Sequence, residues 1–489
     1  MSTSDKHHDK PELEEGLLAN DSLQADQLDV HNKPHKKTLK DLKLPITALC
    51  IAVLSQAYVT ISCLPYIAFM CIAFVPGLTV QNVGVYAGSL SATYMIGRAF
   101  SSYPWGWVAD KYGRKQVFYY SYVLCIIFSL GFGLSTSLTM AIITRTFLGV
   151  SSGIVGTVKA VCFEISDGDV ELQERVTGFV FSMRSFGAFL SPLISGIISD
   201  PVKQFPDWYI STHYTEFLTK YPYILPNVVA AVICVVGFLT VLFGLKETKP
   251  QSEPTQTEDS NNVVSGRPKV TSKQIWSKPG ARDHLIAYWG LVYCSQFFTE
   301  SIPLYFVATD GGLSLQEKEI GIVSATAGLL NSCLQYLLFS KMLGKFGLNG
   351  VQKIASALGT PLAILIPIAT VLNRGAPTNT LTIQAFIYCV IMTATAKTFQ
   401  NMYFSTTTVG ANRSVTKEER SALNALSMFG GSVSQAVAPF LAGSVTTFAL
   451  SSGTFDPTVG VYVAFGFAST VGVSLSAFTF CKLSKYYND

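Results

Sequence analysis

The sequence predicts an all-α membrane protein with twelve transmembrane helices arranged as two six-helix halves. Three observations predict it. Apolar runs long enough to cross a bilayer recur from Leu44 to Cys481. Charge is scarce, with 13% Asp, Glu, Lys and Arg against 49% hydrophobic residues, where soluble domains carry about 25% charged residues. Lys and Arg then gather in alternate loops, as a bilayer sorts them. Helices are the economical way through lipid, because an open sheet edge leaves backbone groups unpaired.

Residues 1–43 read as a disordered cytoplasmic tail, hydrophilic and without periodicity, acidic at Glu12, Glu14 and Glu15 and basic from Lys33 to Lys43. Its histidines, His7, His8, His31 and His35, form no compact ligand set. Glu14-Glu15-Gly16-Leu17-Leu18 has the look of a short acidic dileucine sorting signal for the endosome or vacuole. The N-terminal half, residues 44–245, holds spans at Leu44–Val75, Val85–Val108, Val117–Leu138, Met140–Cys162, Val176–Ile198 and Tyr223–Leu245. A polar central loop, residues 246–283, is placed in the cytoplasm. The C-terminal half, residues 284–481, holds spans at His284–Ala308, Ile320–Leu343, Val351–Leu372, Leu381–Thr408, Ser421–Leu450 and Val459–Cys481. Residues 482–489 form a short cytoplasmic tail.

With the N-terminus inside, the outer loops hold only Lys203, Lys220, Lys318 and Arg374, and every other loop Lys or Arg falls inside. Both termini are therefore expected in the cytoplasm, and the sequon Asn412-Arg413-Ser414 is expected to stay unglycosylated. The ten cysteines lie in or beside apolar segments without metal-ligand spacing, so neither a disulfide framework nor a zinc site is expected. A net charge of +4 on so long a chain argues against nucleic acid as a partner. The expected partners are a small-molecule substrate, protons and the lipid bilayer, with no cofactor, no bound metal and a monomeric state.

One loop stands apart. Gly106-Trp-Val-Ala-Asp110-Lys111-Tyr-Gly113-Arg114-Lys115 separates two apolar runs. Gly106 is expected to let a neighbouring helix approach closely, and Gly113 to permit a tight reversal. Lys111, Arg114 and Lys115 hold the loop on the cytoplasmic side. This stretch resembles the signature loop between the second and third spans of the major facilitator superfamily of secondary transporters. The resemblance implies two six-helix halves rocking about a central site, a gating role for this loop, and a partnership of Glu164 with Arg114.

In the fourth span Arg145 is followed by Gly149, Gly153 and Gly156 on one expected helical face, which allows close packing beside a buried cation. In the fifth, Gly178, Gly187, Ser191, Pro192, Ser195 and Gly196 resemble the antiporter motif of the superfamily, with serine at two of its glycine positions. Further stretches carry the resemblance to the zinc-induced facilitator-like group within the drug:proton antiporter branch. They are Gly97-Arg98-Ala99-Phe100-Ser101-Ser102, Lys159-Ala160-Val161-Cys162-Phe163-Glu164, Glu300, and Glu419-Arg420-Ser421-Ala422-Leu423-Asn424. A relic of the signature loop in the second half, Lys341 to Gly347, lacks the aspartate.

Ionisable groups inside spans cost about 2.5–3.5 kcal/mol each on insertion scales, so Arg98, Arg145, Lys159, Arg184, Glu300 and Lys397 are candidate functional residues. Glu300 is the one carboxylate well inside a span and the candidate for proton coupling. Arg98, Arg145, Arg184 and Lys397, with Tyr94, Gln296, Gln335, Gln400 and Asn401, are candidates for substrate binding. Interhelical pairing is the competing role for each of them, as for Asn331. The surplus of positive charge favours an anionic or zwitterionic substrate, and a metal chelator, a drug or an organic anion is the kind of small organic molecule expected.

The function expected is proton-coupled secondary transport of a small organic molecule, with antiport placed first. The alternatives are a sugar-like nutrient symporter or uniporter and, from another class, a non-transporting membrane sensor. No nucleophile with its base and no phosphate-cradling glycine loop supports an enzyme. The membrane is expected to be vacuolar or endolysosomal, or the plasma membrane. The charge map makes a direct prediction: tags near Ser265 and at either terminus are reached only from the cytosol, and outer labelling at any of them overturns the map.

Overall fold

The computed structural model describes residues 42–166, 169–207, 211–247, 272–377, 379–416, 419–451 and 453–487. The tail histidines, the dileucine-like stretch and residues 248–271 of the central loop lie outside them. Helices follow the apolar runs, and among the described residues no strand occurs. The first span is two helices, α1 (Lys43–Ile61) and α2 (Ile67–Phe74), interrupted around Pro65. A proline has no N–H to continue the ladder, and here Leu64 N–H turns to Ile61 O instead. The second and third spans are α3 (Gly84–Tyr112) and α4 (Arg114–Gly133). The fourth is α5 (Leu138–Val150) and α6 (Ile154–Ile165), the fifth α7 (Val170–Ile198). Two short helices, α8 (Pro201–Gln204) and α9 (Thr212–Lys220), lead to the sixth span, α10 (Ile224–Gly244).

After α11 (Ser272–Ser277) the seventh span, α12 (Pro279–Val307), begins earlier than its apolar run, because Pro279 suits a helix N-terminus and Ala281 and Leu285 pack with Ile275, Ala411 and Leu423. The eighth and ninth spans run on as α13 (Glu317–Leu358), broken at Gly347 with φ 64° and ψ −178°. The ninth continues through a 3-10 turn (Pro361–Leu365) and α14 (Ile368–Leu372). The last three spans are α15 (Ile383–Arg413), α16 (Arg420–Ser451) and α17 (Pro457–Cys481).

Eight helical stretches among the described residues are long and apolar enough to cross a membrane, one of them, Glu317–Leu365, containing two expected spans. The exceptions are α3, α12 and α15. They carry Arg98 and Asp110, Asp283 and Glu300, and Lys397 and Arg413, charges that lower their hydropathy.

The two halves meet where α3 packs on α16 and α7 on α13. At Gly443 a Cβ would collide with Gly84 O, and at Gly88 with Pro439 O. At Gly196 it would lie 2.6 Å from Glu317 O and 2.8 Å from Gly321 Cα. These are contacts of backbone on backbone. One apolar core covers this end, joining Tyr66, Met70, Leu90 and Phe132 to Ile302, Tyr305, Phe306, Ile320 and Phe465.

The same helix faces are bare at the other end. Gly106 lies eighteen residues, five turns, beyond Gly88, and nothing falls within 4 Å of where its Cβ would be. The close helix approach expected at Gly106 is therefore absent: its face of α3 points at α16, and the halves have parted there. Gly178, five turns before Gly196 on α7, is open in the same way, and Phe429 of α16 is 70% exposed. The bundle is closed at one end and open at the end that carries the Gly106–Lys115 loop.

The expected continuous glycine face in the fourth span is also revised. The helix breaks between α5 and α6, where Gly153 N–H bonds to Ser151 O. Gly149 and Gly153 pack tightly on α3, against Tyr94 O and the Trp105 ring, while Gly156 faces open space.

A leucine side chain at Gly443 must push backbone apart, at a cost of about 1–3 kcal/mol for an overpacked contact. Gly443→Leu is expected to open the closed end, whereas Gly106→Leu should leave it shut and hinder closure of the other. Distance measurements between labels on α3 and α16 check both, and an unchanged closed end in Gly443→Leu contradicts the packing account.

Candidate functional site

The loop at the open end is an ion-pair network built on a reversal. Gly113, at φ 104°, ends α3 and starts α4, a conformation that favours glycine. It brings Arg114 back over α3, where Arg114 Nη1 donates to Asp110 Oδ1 at 2.8 Å and Nε to Glu164 Oε1 of α6 at 3.0 Å. Glu247, just beyond α10, accepts from the N–H groups of Arg114 at 2.8 Å and Lys115 at 3.2 Å. A carboxylate there satisfies free N–H groups and the positive end of α4. Lys115 Nζ donates to Leu242 O at 3.0 Å, and Lys111 stacks over Trp107 at 4.7 Å. The second, third, fourth and sixth spans are thus tied at one point.

The second half has a different tie. Gly347 repeats the reversal of Gly113, but the polar link runs from Lys278, before α12, to Glu419, before α16, at 2.5 Å. The Lys278 ammonium, helped by Thr416 N–H, holds the Glu419 carboxyl below the usual carboxylate range.

Deeper in, Glu300 is buried, with Gln296 Nε2 donating to its Oε1 at 2.9 Å. Ser91 of α3 lies beside it, and Lys397 of α15 and Arg145 of α5 are near enough for their charges to act on it. Both halves therefore contribute to its surroundings. Arg145 itself is occupied by α1. Its guanidinium donates to Val59 O and Thr60 O, both at 3.1 Å, and to Cys63 Sγ at 2.9 Å, and it lies over the Tyr94 and Phe132 rings. It answers the carbonyls that the break at Pro65 deprives of helical donors. Tyr94 is buried too, its hydroxyl 2.9 Å from Thr60 Oγ1.

Arg98 of α3, Lys159 of α6 and Arg184 of α7 form a second group, close enough to act on one another, with Lys159 and Arg184 exposed within the protein and Arg98 partly so. Tyr288 of α12 lies near Arg98 from the opposite half. Asn331 Oδ1 accepts from Thr398 at 3.0 Å and from the exposed Asn401 at 3.4 Å. Gln335 is partly buried on α13. Gln400 is turned away from these groups, donating to Thr360 Oγ1 at 3.4 Å where the ninth span breaks. In the fifth span Gly187 packs on Ala57 and Leu54 of α1. Ser191 and Ser195 are fully buried and donate to Gly187 O and Ser191 O, while Pro192 and Gly196 meet Gly321 of α13. The serines thus keep the small-residue face by folding their hydroxyls onto their own helix.

Sequence reading missed Glu247, an unremarkable acid beside a long polar loop whose role depends on the return of α10 to α4. It also missed Lys278 with Glu419 as a pair, since 141 residues separate them.

A multi-pass helical bundle of two halves, closed at one end and charged along its middle, defines a membrane transporter. The chain belongs to the Major Facilitator Superfamily, whose sequence profile matches residues 49–439. It is similar to zinc induced facilitator-like protein 1 of Arabidopsis thaliana, 28% identical across 81% of this chain and 82% of the relative. A major facilitator superfamily multidrug transporter of Aspergillus fumigatus is 22% identical across 84% and 79%. Among solved structures, a D-xylose-proton symporter aligns with TM-score 0.66 at 14% identity, over 91% of this chain and 99% of that one. A bacterial homologue of the lysosomal transporter Spinster, solved inward-facing and unoccupied, aligns with TM-score 0.64 at 12% identity, over 91% and 96%.

A charge-assisted hydrogen bond between half-buried groups such as Arg114 and Glu164 contributes about 1.5–3 kcal/mol, and one to the exposed Asp110 about 0–1 kcal/mol. Arg114→Ala is therefore expected to slow transport about tenfold or more and Asp110→Asn by a smaller factor, both leaving substrate affinity nearly intact. Binding in detergent alongside transport in vesicles tests this, and loss of binding by a folded variant removes the gating role.

Proposed function

We propose that the protein is a proton-coupled antiporter that moves a small organic molecule, anionic or zwitterionic or a metal chelator, by alternating access. The observation that carries this reading is Glu300, a buried carboxylate at the meeting of the halves with Gln296, Lys397 and Arg145 about it. The Gly106–Lys115 end is the cytoplasmic one on the charge rule, so the conformation described is inward-open. Proton coupling in the D-xylose-proton symporter and the multidrug role of the Aspergillus relative lend the reading support through their names.

The chemistry follows from charge. A protonated Glu300 is neutral and tolerates burial; ionised, it is held by its donors and the nearby cations. The anionic part of a substrate meets Arg98, Arg184 and Lys397, and a cationic part, an ammonium or a chelated metal ion, competes with the proton for Glu300. Proton and substrate then exclude one another, which is the condition for exchange. Pro303, inside α12 and one turn on, removes a backbone hydrogen bond where the helix must flex as the halves rock. Gln296, Gln335 and Asn401 supply neutral hydrogen-bonding groups along the route, and the Arg114 network binds four spans of the N-terminal half at the cytoplasmic end so that they move as one body. A monomer suffices for this cycle. Both termini lie in the cytoplasm of a vacuolar, endolysosomal or plasma membrane protein.

Glu300→Gln fixes the neutral form. In reconstituted vesicles with an imposed pH gradient it is expected to lose proton-driven accumulation and keep substrate exchange down its own gradient. Accumulation with the parent's pH dependence rules Glu300 out as the coupling residue.

A further inference from the structure

A second carboxylate is buried between the halves, at the closed end. Glu317 occupies the first turn of α13, just before the apolar segment Ile320–Leu343, and is 1% exposed. Neither of its carboxylate oxygens has a hydrogen-bond partner, and both are shut off from solvent. The burial comes from the other half: Glu317 O and Gly321 lie against Gly196 of α7. The ionisable groups that face it are Asp200 and Lys203 beyond α7, Tyr223 before α10, and Glu319 on its own helix, with Lys318 as the intervening residue. Two carboxyls thus face it against the exposed Lys203, which lies over the Phe69 ring, and Lys318 is exposed and lies over Phe205.

Burial away from water, with the acids Asp200 and Glu319 beside it, favours the protonated carboxyl, while its own backbone N–H and the exposed Lys203 favour the charge; burial is the largest of these effects and decides. The geometry points to Glu317 as a second proton-binding residue, loaded when the halves close at this end and emptied when they part. Closure buries the side chain and favours its neutral form; parting of α7 from α13 returns water to it and lets the proton leave on that side. Proton binding and closure are linked, so acid on that side favours the closed state, by at most about tenfold per pH unit for one proton. Glu317 is thus separate in place and task from Glu300, which lies deeper on α12.

The test uses the full chain in lipid nanodiscs. Cys333 and Cys481, the exposed native cysteines, are replaced by serine, and spin labels are attached at His213→Cys and Arg374→Cys, one on each half at this end. Raising the pH from 5 to 8 is expected to lengthen the distance between the labels in the parent. Glu317→Gln and Glu317→Ala are expected to remove that dependence, with the glutamine variant, a mimic of the protonated acid, remaining closed. An unchanged pH response in folded Glu317→Gln overturns the proposal. So does a parent with no pH response, or a response lost in Glu300→Gln and kept in Glu317→Gln, which assigns it to the coupling carboxylate instead.

Discussion

The structure depends on contact between backbones where the halves meet. In lipid, apolar side chains gain little by leaving their surroundings for one another, so helices hold together through close van der Waals packing of small residues. Gly84 and Gly88 against Gly443 and Pro439, and Gly196 against Gly321 and Pro192, give that packing at two crossings. No ion pair is built into either glycine crossing among the described residues. Beside this packing a few hydrogen bonds cross between the halves, among them Val85 N–H to Thr447 Oγ1 at 3.0 Å and Gln81 Nε2 to Asp310 Oδ2 at 2.8 Å. The same two helix faces carry Gly106 and Gly178 at the opposite end, where nothing packs on them.

Buried positive charge serves two purposes that composition alone merges. Arg145 donates to Val59 O and Thr60 O and lies on Tyr94, so it binds the broken first span to the fourth and acts on Glu300 by its field. Its removal would leave carbonyls unpaired in the interior, a structural penalty before any transport effect. Arg98, Lys159 and Arg184 repel one another, with Lys159 and Arg184 exposed and Arg98 partly so. The cations that look alike in the sequence thus separate into Arg145, which holds the fold, Lys397 beside Glu300, and the mutually repelling group of Arg98, Lys159 and Arg184.

The halves share a plan and differ in chemistry. Gly113 and Gly347 both turn the chain back at the open end through positive φ, the trace of a repeated unit. Around Gly113 the arginine gathers Asp110 and Glu164 while Glu247 caps the next helix; in the second half the pair of Lys278 with Glu419 joins two helix starts. Charge networks thus hold the helices of each half together at one end, and glycine contacts join the halves at the other.

The sequence by itself determined the class, because apolar run length, loop charge and the Gly106–Lys115 pattern are local and survive without coordinates. It also determined which residues pay the cost of burial, since an ionisable group in an apolar run is visible as such. Only the tertiary structure decided what each of them touches. Arg145 and Arg98 look alike in a span, yet one is packed on a broken helix and the other stands half-buried beside Lys159 and Arg184. Gly106 reads as a packing residue but stands free, because contact at its face requires the closure of an end that is open here. Glu247 and Glu317 sit beside loops, where a carboxylate is ordinary. One caps a helix that begins 133 residues earlier, and the other is sealed by a helix of the opposite half. Such roles arise from distance closed by folding, and periodicity and spacing carry no record of it.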